Sequence, residues 1–246
     1  MNQLAISDVK AYVNENIETF HRNKIKTLQT INLQAVLKKK NPYLFKAKNI
    51  TLAASLIEEI LEAFLYSSEE KLFGDFLEDL AVFIAGKTFN GRKSSASGID
   101  LEMEKARIRY LVSIKSGPNW GNSAQHKKQE SDFQIAVKVL RQSKHTEQIQ
   151  AVLGICYGKV KTSYLRGYMK IAGQNFWFFI SDNPNLFTDI IEPLGHKAKE
   201  HNDQFSKQKT RLINSFTREF LNLYCASGNI DWVKLVQFNS GNLDLK

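Results

Sequence analysis

The sequence predicts an α/β protein with a helical N-terminal part and a long C-terminal helix. Three observations carry that reading: helical spacing of apolar residues over the first ~90 positions, short alternating or continuously apolar segments in the middle, and an amphipathic stretch from His196 to about Cys225. Taken in order, Leu56, Ile57, Ile60, Leu61, Phe64 and Leu65 mark one helix from Leu52. Phe73, Phe76, Leu77, Leu80, Phe83 and Ile84 mark a second, with Gly86 as its natural stop. Arg92 to Gly98 reads as a turn-rich loop, followed by strands over Ile99–Glu104 and Ile108–Lys115. A helix from Ser123 to about Gln142 turns Phe133, Ala136, Val137 and Leu140 to one side. Ile149–Tyr157 is apolar enough for a buried strand, and Tyr164–Ile171 is read as its neighbour. Phe176–Ile180 is a short aromatic-rich run. The last helix carries Phe205, Leu212, Ile213, Phe216 and Phe220 as its inward stripe.

Composition narrows the function classes. Hydrophobic residues at 43% and aromatics at 11% suffice for a buried core and exclude wholesale disorder. No run of about 18 apolar residues occurs, and the first residues lack a basic segment leading into an apolar one, so a membrane span and a secretory signal are not expected. Two cysteines, Cys156 and Cys225, support neither a disulfide scaffold nor a cysteine-rich zinc site. The expectation is a cytoplasmic protein.

The chain is basic, with 34 Lys and Arg against 25 Asp and Glu, and the excess clusters. Between His21 and Ile57 there is no acidic residue, while Arg22, Lys24, Lys26, Lys38, Lys39, Lys40, Lys46 and Lys48 fall there. A second group comprises Lys127, Lys128, Lys138, Arg141 and Lys144, diluted by Glu130 and Asp132. Such tracts either bind a polyanion or form solvated faces, and charge alone does not choose between them.

The two alternating segments carry the chemistry. In the first, Ile99, Leu101 and Met103 point one way and Asp100, Glu102 and Glu104 the other. In the second, Ile108, Tyr110, Val112 and Ile114 form the apolar face, with Arg109, Leu111, Ser113 and Lys115 opposite. A turn around Lys105–Arg107 allows an antiparallel hairpin. A four-residue loop sets Asp100 across from Ser113, and a two-residue loop displaces it by a diagonal step. Either way a carboxylate, a hydroxyl and a lysine converge at one end. That grouping suits phosphodiester hydrolysis, in which a carboxylate holds a divalent metal and a lysine orients water or stabilises the growing charge. The plain alternative is a surface hairpin with ordinary cross-strand pairs. The loop after Lys115 adds Asn119, Trp120, Asn122, Ser123 and Gln125, with Lys127 and Lys128 beyond. Amides read base edges or hold phosphates, and lysines neutralise phosphates; Ser123 is also a plain helix N-cap.

The run GIDLE…RYLVSIKSGPNWGNSAQ, together with LGICYGK and NIDWVKLVQFNSGN, resembles a family of bacterial type II restriction endonucleases of the PD-(D/E)XK superfamily, over roughly Phe73 to the C-terminus. The resemblance implies a restriction-endonuclease-like α/β core in which a central mixed sheet is flanked by helices. It also implies Asp100 as the metal-binding acid, Lys115 as the lysine of the (D/E)-X-K element, Mg²⁺ as cofactor and double-stranded DNA as substrate. Relatives of this kind are usually homodimers cutting short palindromes, partnered with a methyltransferase of the same specificity. Residues 1–246 are read as one nuclease domain, with a helical subregion over 1–72 and the catalytic core and C-terminal helix over 73–246.

One position departs from the pattern: the second acid is Ser113 here. A lone carboxylate is a poor site for a hard cation. Glu78, Glu102 and Glu130 are the candidates to complete the metal shell: Glu78 from the helix before the core, Glu102 from the hairpin itself, where it can also pair with Arg109, and Glu130 from the following helix. Two other readings stay open, a structure-directed repair nuclease of the same fold and a non-catalytic DNA-binding module.

Other signals are set aside. Gly86-Lys87-Thr88 lacks the earlier glycine of a phosphate loop, since Ala81 stands there. His196 and His201 are five apart and do not share a helical face. Cys156 and the aromatic run Phe176, Trp177, Phe178 and Phe179 read as core. Lys197, Lys199, Lys207, Lys209 and Arg211 on the last helix suit either DNA or a dimer face.

Overall fold

In the computed structural model, residues 4–143 and 148–244 are described; Lys144 of the second basic group lies outside them. The chain divides into two compact units, Met1–Glu18 with Phe73–His196, and Thr19–Leu72 with Lys197–Lys246. Among the described residues no helix is long and apolar enough to cross a membrane.

Helices α1 (Ile6–Thr30), α2 (Leu33–Leu37), α3 (Pro42–Ala47) and α4 (Ala53–Phe89) fill the N-terminal third, as the helical spacing predicts. The two helices expected after Leu52 are one, of 37 residues. The polar stretch Tyr66–Leu72 contains no glycine or proline to break it, and Ser67 simply bonds back to the Ala63 carbonyl at 3.0 Å. Gly86 is not the stop. The helix runs to Phe89, Asn90 takes the left-handed region at φ 51°, and the Gly91 amide reaches back to Ala85 O at 2.9 Å. A Cβ on Gly91 would lie 2.7 Å from that of Ala85, so Gly91 is the glycine the terminus requires.

The first unit is built on a six-stranded mixed sheet. Its strands are β1 (Arg92–Lys93), β2 (Leu101–Lys105), β3 (Ile108–Lys115), β4 (Gln148–Ile155), β5 (Ser163–Leu165) and β6 (Tyr168–Ala172), in spatial order β1-β2-β3-β4-β6-β5. β2 and β3 form the expected antiparallel hairpin, while β3–β4 and β4–β6 are parallel. Helix α5 (Ser123–Ser143) is the crossover between β3 and β4. Its Phe133 and Ala136 are buried with Ile99, Leu111, Leu153 and Ile155. Leu111 is therefore core although it lies on the face opposite Val112, because a central strand is covered on both sides. The segment read as one strand over Tyr164–Ile171 is a hairpin, β5–β6, broken where Arg166 and Gly167 adopt positive φ. The aromatic run is α6 (Gln174–Ser181), which buries Phe176, Trp177 and Ile180 at helical spacing. Short helices α7 (Leu186–Asp189) and α8 (Ile191–Leu194) follow.

The second unit is helical. Its long helix α9 (Ala198–Tyr224) buries Phe205, Phe216 and Phe220 of the predicted stripe. A small ribbon of β7 (Cys225–Ala226) and β8 (Asn229–Ile230) precedes α10 (Trp232–Ser240). Leu33, Val36, Phe45, Leu56, Ile57, Phe216, Phe220, Tyr224 and Leu235 form its principal core.

Candidate active site

Register positions the site. The β2–β3 turn is the two-residue Ala106-Arg107, both at positive φ, and Leu101 pairs with Val112. Extending that pairing sets Asp100 across from Ser113. The diagonal displacement expected of a two-residue loop does not occur, because this tight turn shares its centre with the four-residue alternative. The Asp100 amide donates to Val112 O at 2.9 Å, continuing the ladder beyond β2.

Asp100 is held through one oxygen. Its Oδ2 accepts from the Ile114 amide at 2.6 Å and lies 3.3 Å from Ser113 Oγ and 3.8 Å from Lys115 Nζ. Lys115 also donates to its neighbour's carbonyl, Ile114 O, at 3.0 Å, and its ammonium stands 5.5 Å from the centre of the Trp120 ring. The parallel ladder continues past β4, with the Cys156 amide on Lys115 O at 2.9 Å. Cys156 is buried, as core, and burial together with the negative charge of Glu78 and Asp100 holds its thiol protonated.

The three acids proposed to complete the site separate clearly. Glu78, on α4, is close enough to Asp100 that its pKa is raised, first by burial and then by that carboxylate's charge; Lys93 at 3.4 Å opposes the shift. Glu102 points to a different set of partners: Ser94 Oγ at 2.8 Å, Arg92 at 3.3 Å and Arg109 at 3.5 Å. Glu130 pairs with Arg166 at 3.6 Å, near the β5–β6 turn. The structure thus brings together Asp100, Ser113 and Lys115; Glu78 feels the charge of Asp100 but pairs with Lys93, as Glu102 pairs with Arg92 and Arg109 and Glu130 with Arg166.

The loop after Lys115 shows a second division. Asn119 is exposed. Asn122, rather than Ser123, caps α5: its Oδ1 accepts from the amides of Ala124 and Gln125, and the Asn122 amide donates to Gln125 Oε1 at 2.8 Å. This reciprocal capping box occupies one oxygen of each side chain and leaves their amide NH₂ groups as donors. Ser123 is the first helical residue and is exposed. Trp120 packs partly buried against the α5 side of the sheet, edge-on to His126, and its indole Nε1 is buried with no partner among the described residues. Lys127 is exposed, whereas Lys128 pairs with Asp132 at 2.7 Å.

Sequence reasoning missed Gln129. It is 6% exposed, and its Oε1 accepts from Ser113 Oγ at 2.9 Å. The signal was present: position 129 lies four before Phe133 and seven before Ala136, so it falls on the inward stripe of α5. Glu130, one residue on, is rotated away by about 100°.

These oxygens suit a hard divalent cation. Asp100 and Glu78 present two mutually repelling carboxylates, and magnesium uses one or two carboxylates together with waters and substrate phosphate. Among the described residues no group of three or more His, Cys, Asp or Glu is placed to hold a metal. Compared with curated proteins, the chain finds no match. A family model, that of the type II restriction endonuclease EcoO109I, matches residues 7–202. The match covers both the helical N-terminal part and the sheet with Asp100, Ser113 and Lys115. It ends before the C-terminal NIDWVKLVQFNSGN segment. With most of its length matched, the chain belongs to the EcoO109I family of type II restriction endonucleases, which are site-specific deoxyribonucleases.

Proposed function

We propose that this protein is a Mg²⁺-dependent type II restriction endonuclease that hydrolyses double-stranded DNA at a short palindromic site, works as a cytoplasmic homodimer and is paired with a methyltransferase of the same specificity. The observation that carries the catalytic reading is the approach of Lys115 Nζ to within 3.8 Å of Asp100 Oδ2, beside the raised carboxyl of Glu78. In this reading Asp100 and Glu78 hold the cation, which when bound polarises the phosphoryl oxygen and acidifies a water. The chain's own residues do the rest. The Ile114 amide fixes the Asp100 carboxylate, leaving Oδ1 facing no described donor. Lys115 has three ammonium protons; Ile114 O takes one and the Asp100 contact is long, so the ammonium can orient a water or meet the charge growing on phosphorus. The Trp120 ring supports that ammonium through its face. Asn119 and the free NH₂ groups of Asn122 and Gln125 are donors for the DNA, with Lys127 for phosphate.

Incubating purified protein and Mg²⁺ with a sequenced plasmid, followed by end mapping, tests this directly. Discrete fragments, protected by prior methylation at the mapped site, are expected. Smeared products or preference for branched DNA would replace it with a structure-directed nuclease. Ser113 at the second acid's position is the one feature favouring a non-catalytic DNA-binding module, which absence of hydrolysis with any divalent ion would establish.

A further inference from the structure

A polar side chain buried at a catalytic corner costs free energy unless both its donor and acceptor ends are paired. Gln129 meets that requirement in an informative way. Its Nε2 donates to the Gly98 carbonyl at 3.1 Å, so its oxygen end must face the Ser113 hydroxyl, 2.9 Å away. The Gly98 carbonyl is itself aimed by a conformation that needs glycine: φ is 74°, and a Cβ there would lie 2.4 Å from a carboxylate oxygen of Asp132. Gly98 stands two residues before Asp100, and Ser113 stands across from it. One side chain from α5 therefore grips the segment leading into Asp100 and the residue facing it, closing a ring of contacts around that carboxylate.

Proton counting gives the ring a purpose. Ser113 is fully buried and has one hydroxyl proton for two acceptors, Gln129 Oε1 at 2.9 Å and Asp100 Oδ2 at 3.3 Å. Without Gln129, the hydroxyl's only described acceptor would be the Asp100 carboxylate. With it, Ser113 is satisfied whether or not Asp100 turns its charge elsewhere. The amide supplies an acceptor without adding a negative charge.

We propose that Gln129 is a positioning residue of this site: it takes the Ser113 proton and ties down the Gly98 carbonyl, so that the segment carrying Asp100 stays in place and its carboxylate stays free to bind a divalent cation. The proposal rests on the nuclease reading only for what that cation does. Hydrogen-bonded neighbours of a metal-binding carboxylate typically contribute about 10- to 100-fold to metal affinity or activity.

The test is Mn²⁺ binding by titration calorimetry without DNA, alongside kcat and KM on plasmid DNA, for Gln129→Met, Gln129→Glu, Ser113→Ala and the double variant Gln129→Met/Ser113→Ala. Near-UV circular dichroism sets the folded concentration of each. Gln129→Met and Ser113→Ala are each expected to weaken Mn²⁺ binding and lower kcat about tenfold or more, with KM for DNA unmoved. The double variant is expected to be no worse than the weaker single, since both act through one chain of contacts. Gln129→Glu keeps an acceptor for Ser113 but loses the donor to the Gly98 carbonyl, and is expected to bind Mn²⁺ more tightly than Gln129→Met and less tightly than the wild type. Wild-type Mn²⁺ affinity in Gln129→Met, additive losses in the double variant, or Gln129→Glu as weak as Gln129→Met would each overturn the proposal. Should Gln129→Met not fold, Ser113→Ala and Gln129→Glu decide by the same criteria. A wild type that shows this Mn²⁺ pattern but cuts no DNA upholds the positioning role and rejects the nuclease reading. An active wild type with an indifferent Gln129→Met does the reverse.

Discussion

Both ends of the β2–β3 hairpin set acids beside bases, yet they have opposite chemistry. Toward the turn, Glu102 is enclosed by Arg92, Arg109 and Ser94, and Lys105 is bound by Asp182 and by the Phe179 carbonyl at 3.1 Å. Lys105 also sits 4.5 Å from the centre of the Phe89 ring. At the other end Asp100 and Lys115 stand 3.8 Å apart, and a second carboxylate, Glu78, is crowded in with its pKa raised. At the turn end Glu102 and Lys105 each have partners of opposite charge. At the Asp100 end Lys115 stands by Asp100 and Lys93 is shared between Glu78 and Asp79, so three carboxylates face two ammonium groups. Groups already satisfied by the protein have little left for a substrate, which is why the proposed catalytic function is assigned to the Asp100 end.

Substitutions can break or sharpen this contrast. The largest effect is expected at the open end: Asp100→Ala and Lys115→Ala should each cut plasmid DNA about 100- to 1,000-fold more slowly while still shifting target DNA on a gel. Full cleavage by Asp100→Ala would erase the distinction. At the closed end, Glu102→Ala leaves Arg109 without this carboxylate, and urea unfolding should show a loss of about 2 kcal/mol with kcat retained. A kcat defect equal to that of Asp100→Ala would instead place Glu102 in the catalytic machinery.

A smaller effect separates capping from DNA contact in the loop beyond Lys115. Asn122→Ala should lower stability by about 1 kcal/mol through the lost N-cap. A KM for DNA that rises as well, beyond what the stability loss explains, assigns the Asn122 amide to the substrate. The smallest effect is electrostatic. Because the Glu78 carboxyl ionises later in the folded protein than its ordinary 4.5, the native state binds more protons than the unfolded chain above that pH, and stability falls as pH rises through the raised pKa. Thermal melts over a pH series should show this slope in the wild type and lose it in Glu78→Gln. Added Mg²⁺ should raise the melting temperature of the wild type more than that of the variant. An unchanged slope in Glu78→Gln would detach Glu78 from the open corner.

Period-two alternation made Asp100, Ser113 and Lys115 readable as one face, because a strand places every second side chain on the same side whatever surrounds it. The inward stripe of α9 was readable for the equivalent helical reason. Glu78 among the three candidate acids rested on the resemblance and not on spacing, because which residues of a 37-residue helix come within electrostatic reach of Asp100 is set between segments more than twenty residues apart. The joining of two expected helices into α4 escaped notice because Tyr66–Leu72 is polar without being helix-breaking. Gln129 was overshadowed by the charge of Glu130, although only Gln129 occupies the buried face.

By itself the sequence determined the local periods, the hairpin with its acid, hydroxyl and lysine at one end, and the family those residues resemble. These follow from backbone geometry, which repeats every two residues in a strand and every 3.6 in a helix. Only the tertiary structure decided which cation each candidate acid pairs with, and that a neutral glutamine accepts from the serine in the second acid's place. Those are through-space relations between distant segments. They are set by packing and charge pairing, on which local spacing has no hold.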